Sequence, residues 1–256
     1  MKISRFVLLL AVAVAAVWAM PARAQTNEIR EKPPQYSYVS FWQVPRAQWP
    51  EMEKAQASRK PLFDKALADG TIIGYGNDVN LVHTVDGDTH ADWFSSMSMA
   101  GLLKVLNQLQ NAGTPPPVLT TATKHWDHIL VARYYNWRPG SWQGIYTQGN
   151  FYTLKPDAPH NAVNLISRHL LVPLLEKLLA DGTIVQYEID TEAIHTDAPG
   201  SFLIFCLVAN AEGLDKFNAA VREAIFSDPM GAVSFESMVE LSAHRDYLAQ
   251  ANASYK

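Results

Sequence analysis

The chain has 256 residues, a formal charge of −4, 48% hydrophobic and 18% charged side chains. That balance is globular, and with no stripe of Lys and Arg interleaved with aromatics it excludes a nucleic-acid footprint. The single cysteine, Cys206, excludes an intramolecular disulfide, and between Ile204-Phe205 and Leu207-Val208 it reads as a small buried hydrophobe rather than a nucleophile.

In chain order, the first residues carry Lys2 and Arg5, an apolar run from Phe6 to Val17, and Ala22-Arg23-Ala24 before Gln25. This is the charged, apolar and small-residue order of a secretory signal peptide, so residues 1–24 are expected to be a leader and the mature protein to be periplasmic or secreted. The rival reading of the same segment is a retained N-terminal anchor. No later stretch approaches the roughly 18 apolar residues of a membrane span.

Tyr36 to Val44 is aromatic and β-branched, a strand. The pattern from Trp49 to Ala68 is helical and stops at Asp69-Gly70, where glycine supplies a left-handed cap. Thr71 to Thr84 and Ala91 to Met99 read as a hairpin around Asp86-Gly87-Asp88-Thr89. Gly101 to Gly113 reads as a helix, Thr114 to Thr120 as a linker and His125 to Asn136 as a strand. The order then begins again: strand Gly144 to Leu154, helix Asn164 to Gly182, strands Thr183 to Thr196 and Ser201 to Ala209, and helix Ala211 to Phe226. A short helical stretch from Ser234 to Leu241 precedes a last strand from Arg245 to Lys256.

The six residues Leu67 to Ile72 recur as Leu179 to Ile184, at an offset of 112. The same offset pairs Pro61 with Pro173, Tyr75 with Tyr187, Asp78 with Asp190 and His83 with His195. Such agreement without a gap marks a duplication. Residues 25–140 and 141–256 are each expected to form a βαββαβ unit, with both helices on one face of a four-stranded antiparallel sheet. Large apolar residues such as Ile72, Leu203, Phe205 and Leu207 demand cover on the other face, so the two sheets are expected to pack face to face. In that element order and the repeated Leu-Ala-Asp-Gly-Thr-Ile pattern the chain resembles the dimeric α/β-barrel (ferredoxin-like) superfamily, in a single-chain tandem form.

Candidate chemistry is spread along the chain. His83 and His195 could form a symmetric pair, or satisfy backbone groups at their hairpins. Asp86, Asp88, His90 and Asp92 have no counterpart in the second copy and could offer oxygen and nitrogen ligands to a divalent ion, although Asp-Gly-Asp is also an ordinary turn. Trp137, Trp142 and Arg138 sit at the junction of the copies, where a flat ligand could stack and a carboxylate could pair. His125 and His128 point to opposite faces of a strand and would not chelate one metal.

His169 and Pro173, with Glu176 on the same helix face, are similar to the proximal-histidine region of chlorite dismutase-like haem proteins. That resemblance implies haem, with His169 as axial ligand and a carboxylate such as Glu176 orienting it. The distal arginine of that family has no counterpart in the second-copy strands. No HExxH, GxSxG, CxxC or P-loop is present. The leading expectation is therefore an exported protein that binds a small apolar or aromatic molecule, without an identifiable catalytic motif. A haem-binding or monooxygenase-like oxidoreductase using His169 is the alternative, and an interaction module forming homo-oligomers is a third.

Overall fold

The computed structural model describes residues 29–196, 200–226 and 229–256. The expected leader lies outside the described residues. Glu31–Lys256 forms one unit, and of the other, Met1–Arg30, only residues 29 and 30 are described.

Among the described residues eight strands carry the architecture: β1 (Gln35–Gln43), β2 (Gly74–Asn80), β3 (His90–Ser96), β4 (Lys124–Trp137), β5 (Gly140–Thr153), β6 (Ile184–Glu192), β7 (Ser201–Val208) and β8 (Arg245–Tyr255). Every pairing is antiparallel. The strands close into a barrel in the order β1-β3-β2-β8-β5-β7-β6-β4. Its two arcs, β4-β1-β3-β2 and β8-β5-β7-β6, have the same internal order. They are joined by β2 to β8 and by β4 to β6. This differs from two separate sheets laid face to face: edge strands with unpaired amides find partners across the halves, and closure removes every edge.

Helix α1 (Trp49–Ala68), α2 (Met99–Gln110) and the short α3 (Pro117–Thr121) belong to the first half. The second has α4 (Ala162–Ile166), a π turn (Ser167–Leu171), α5 (Val172–Ala180), α6 (Ala211–Phe226) and α7 (Pro229–Met238). The linker expected at Thr114 to Thr120 contains α3 because Pro117 takes the first helical turn, where its missing N–H costs nothing. Pro61 is absorbed inside α1, whereas Pro173 is the second residue after the π turn. A proline inside a helix removes one hydrogen bond and crowds the carbonyl four residues back, and widening the preceding turn relieves that crowding.

Inward positions are packed by Val39, Phe41, Trp93, Leu203, Leu207, Tyr247 and Tyr255, with small Ala249, Ala251 and Ala253 opposite them. Gly74 and Gly76 are needed for this packing: a Cβ at either would lie 2.4 Å from the Tyr255 ring or 2.3 Å from the Trp93 ring. The outer wall is covered by helices, with Phe63, Ile72, Tyr75, Phe94 and Leu102 buried beneath α1 and α2.

The halves repeat small devices as well as strands. Tyr75 donates to Asp64 and Tyr187 to Glu176, at 2.5 and 2.6 Å. The backbone N–H groups of Thr71 and Thr183 each donate to the preceding Asp69 or Asp181 at 2.9 Å. Gly70 and Gly182 both take a left-handed backbone, at φ 76° and 81°. Gly70→Val or Gly182→Val should therefore destabilise the protein by about 1 kcal/mol or more. Thermal melts unchanged in both variants would contradict the cap.

Candidate functional site

A cleft of about 710 Å³ opens between α1 and the outer wall of the barrel. Gln56, Lys60 and Phe63 reach it from α1, Tyr75 and Asn77 from β2, Asp92 from β3, Trp142 from β5 and Asn252 from β8. The helix residues fall at spacings of three and four and so share one face. Asn77 and Asp92 are direct cross-strand partners on the outward face. The mouth is shaped by a register shift in β5 between Trp142 and Ile145, where Gly144, at φ 66°, donates its N–H to Asn252 Oδ1 at 3.2 Å.

The base of the cleft is polar and largely buried. Beside the lining residue Asp92, and not itself lining the cleft, Arg59 donates from Nη1 to Asp92 Oδ2 at 2.8 Å, with the side chains only 17% and 9% exposed. Gln56 Nε2 donates to the Ala91 carbonyl at 3.4 Å, and Gln56 Oε1 accepts from Asn77 Nδ2 at 3.2 Å. Burial raises the Asp92 carboxyl above its ordinary range, and the Arg59 guanidinium pulls it back. A buried ion pair gains little net stability over well-packed apolar side chains.

The second half shows what those positions hold when they serve packing. At the offset of 112, Arg59 is matched by Leu171, Asn77 by Ile189 and Asp92 by Ile204. Ile189 and Ile204 are again direct cross-strand partners, and all three residues are buried. The space between the helices and sheet there, walled by Leu171, Leu175, Ile204, Phe217 and Phe235, shrinks to about 30 Å³. One architecture thus carries a filled apolar interface on one side and an open cleft with a polar floor on the other. Ring faces and amides together suit a small, flat molecule bearing carbonyl or hydroxyl groups.

The barrel interior holds a second polar set, of acids. Asp78 on β2 accepts from Thr147 Oγ1 at 2.9 Å, and burial pushes its carboxyl up to about 7. Glu188 on β6 accepts from Gln35 Nε2 and from Ser37 Oγ, the latter at 3.2 Å, and burial likewise lifts it to about 7. A cavity of about 30 Å³ adjoins Asp78 and Glu188, room for a water molecule but not for an organic substrate. These acids escaped the sequence reading, although the repeat aligns Asp78 with Asp190.

The residues singled out in the sequence are dispersed. His83 and His195 are exposed beyond β2 and β6, strands on opposite sides of the barrel, and His83 meets the Trp49 ring edge-on at 5.3 Å. Asp86 pairs with Lys124, and Asp88 accepts from Asn80 at 3.0 Å. His90 bonds Thr89 and is lowered to about 4, by burial first and then by the charges of His83 and Arg46. Asp92 joins Arg59, so the four do not converge, and among the described residues no three His, Cys, Asp or Glu side chains group as metal ligands. Trp137 donates to the Lys256 carbonyl at 2.9 Å and stacks against Tyr135 and Tyr255. The Arg138 backbone N–H bonds Val185, and its guanidinium lies over Gly182. Of the junction residues, Trp142 lines the cleft. Cys206 is buried and its thiol is raised by that burial.

His169 occupies the middle of the π turn, exposed on the rim of a separate groove of about 400 Å³ with Leu170, Phe235 and Met238. A haem ligand usually donates its second ring N–H to a carboxylate or carbonyl. Among the described residues His169 makes no such bond, and Glu176 is engaged by Tyr187 and Asn136. With only about 30 Å³ between that helix and the sheet, the residues do not fit a macrocycle held there.

Neither a known family nor a curated protein matches the sequence. Solved structures match the fold. A provisionally named monooxygenase from Lactobacillus acidophilus NCFM is similar at a TM-score of 0.65 and 12% identity, over 88% of this chain and 97% of that one. Another from Fusobacterium nucleatum reaches 0.61 at 8% identity, over 88% and 95%. A haem-binding protein from Thermus thermophilus reaches 0.50 at 12%, over 87% and 94%. At such identities the likeness is one of fold alone, an antiparallel closed barrel with helices on its outer wall.

Proposed function

We propose that the chain is an exported, internally duplicated α/β-barrel protein that binds a small, partly aromatic molecule in the cleft between α1 and the barrel. The observation that carries this reading is the replacement of Leu171, Ile189 and Ile204 in one half by Arg59, Asn77 and Asp92 in the other. Packing alone favours the apolar set in both places, so the polar set is retained for a ligand. Trp142 supplies an accessible ring face, the stacked Phe63 and Tyr75 form the apolar wall, and Gln56, Asn77 and Asn252 supply hydrogen bonds to oxygen substituents.

An oxygenase-type oxidation of the bound molecule is the second reading, favoured by the fold shared with provisionally named monooxygenases. In it dioxygen is the oxidant, Asp92, its carboxyl raised by burial, takes a proton from a ligand hydroxyl, and Arg59, bonded to the Asp92 carboxylate, holds that base in place. Export rests on the order of charged, apolar and small residues in the leader.

Titration with 1-naphthol, followed by amide NMR, tests the site. Shifts should concentrate at Gln56, Asn77, Trp142 and Asn252. Shifts confined to His169 and Phe235 would move the site to the other groove, and their absence everywhere would remove the aromatic-ligand reading.

A further inference from the structure

Inside the barrel, among the described residues, both carboxylate oxygens of Asp190 and the amide oxygen of Gln35 are without a hydrogen-bond donor. Asp190 on β6 is 0% exposed, and among the described residues neither of its carboxylate oxygens has a hydrogen-bond partner. Gln35 on β1 is 1% exposed; its Nε2 donates to Glu188, and its Oε1 is unpartnered. The strand registers bring these groups together. Ala132 on β4 is paired on one side with Gln35 and on the other with Asp190. On the inner face both side chains therefore flank a methyl group, the smallest cover an L-residue offers. Glu188 lies two residues from Asp190 on the same face, and the nearness of its charge adds to burial in holding the Asp190 carboxyl well above the ordinary range.

Isolated, this arrangement is costly, because a buried acceptor without a donor forfeits its hydration and two adjacent acids repel. Among the described residues no basic side chain pairs with either acid. All the unpaired atoms are oxygens, and hard cations take carboxylate and amide oxygens. We propose that Asp190, Glu188 and the Gln35 carbonyl form a binding site for a hard divalent cation inside the barrel.

Two carboxylates balance a double charge, and the amide oxygen adds a neutral ligand. The cavity of about 30 Å³ beside Glu188 has room for one water molecule on that side of the cation. Calcium tolerates irregular sets of six to eight oxygens, whereas magnesium demands a near-ideal octahedron, so calcium suits the site better. Asp78, the counterpart of Asp190 at the offset of 112, already accepts from Thr147 and is not part of the site.

The test is a thermal melt of the purified protein, stripped by EDTA and exchanged into metal-free buffer, with CaCl₂ or MgCl₂ added separately, alongside calorimetric titration. Either ion should raise the melting temperature, calcium more. Asp190→Asn should abolish the rise, and Gln35→Met, which keeps both carboxylates, should weaken affinity roughly tenfold or more. Asp78→Asn should leave the calcium response intact. If Asp190→Asn does not fold, the Gln35→Met titration decides. A wild-type melt that ignores both ions, or a response that survives in Asp190→Asn and Gln35→Met, overturns the proposal.

Discussion

Arg59→Leu alone should destabilise the protein by about 3–5 kcal/mol, because it strands the Asp92 carboxylate in a nearly buried position. The double variant Arg59→Leu with Asp92→Ile should recover most of that loss. It installs the Leu171 and Ile204 arrangement that the second half already packs, and replacing a buried ion pair by apolar side chains is often neutral or stabilising. Urea unfolding of the single and double variants measures both effects. A pair needed only as scaffold would leave the double variant as weak as the single one.

The second large effect is a pH dependence carried by Asp78. Its folded carboxyl titrates at about 7 against an ordinary 3.8, the cause being burial. A carboxyl raised on folding binds its proton more tightly in the native state. The stability this contributes is fully present below the unfolded value and is lost as pH rises through about 7. Wild-type protein should therefore be more stable at pH 5 than at pH 8.

Asp78→Asn keeps an oxygen to accept from Thr147 and removes the titration. It should take away about 1.4 kcal/mol per pH unit of slope between the two values, and be more stable than wild type at pH 8 by a few kcal/mol. Denaturant unfolding at several pH values reads this directly. A variant with the wild-type slope would contradict a buried, proton-holding Asp78.

The element order was legible because the same residue types recur along the chain at one offset. Gly70 and Gly182, Asp69 and Asp181, and the recurring tyrosines recur at one offset, and each pair does the same job in both halves. Which face of a strand lies inside was not legible. In β6, Glu188 and Asp190 alternate with Tyr187 and Ile189, a pattern that ordinarily places acids in water. Here helices cover the outer wall and the acids point into a closed barrel, a consequence of pairings between β2 and β8 and between β4 and β6. The divergence of Pro61 and Pro173 was hidden as well, since identical residues at one offset sit in a regular helix and beside a π turn.

The cleft did leave a trace. Comparing the halves for disagreement rather than agreement picks out Arg59 against Leu171, Asn77 against Ile189 and Asp92 against Ile204. Of the candidate residues in local motifs, Asp92 and Trp142 alone reach the cleft, one from the acidic hairpin and the other from the aromatic junction. What joins them is tertiary: the helix α1 laid over β2 and β3, and the displaced start of β5.

Calorimetric titration of 1-naphthol into wild-type protein and into the folded Arg59→Leu, Asp92→Ile double variant tests directly whether the cleft binds a ligand through its polar groups. Saturable binding to the wild type, with affinity at least roughly tenfold weaker in the double variant, is the predicted result, since a site built for a ligand's polar groups loses more than about 1.4 kcal/mol with them. Equal affinity for both proteins would show that the polar floor of the cleft is no part of a binding site.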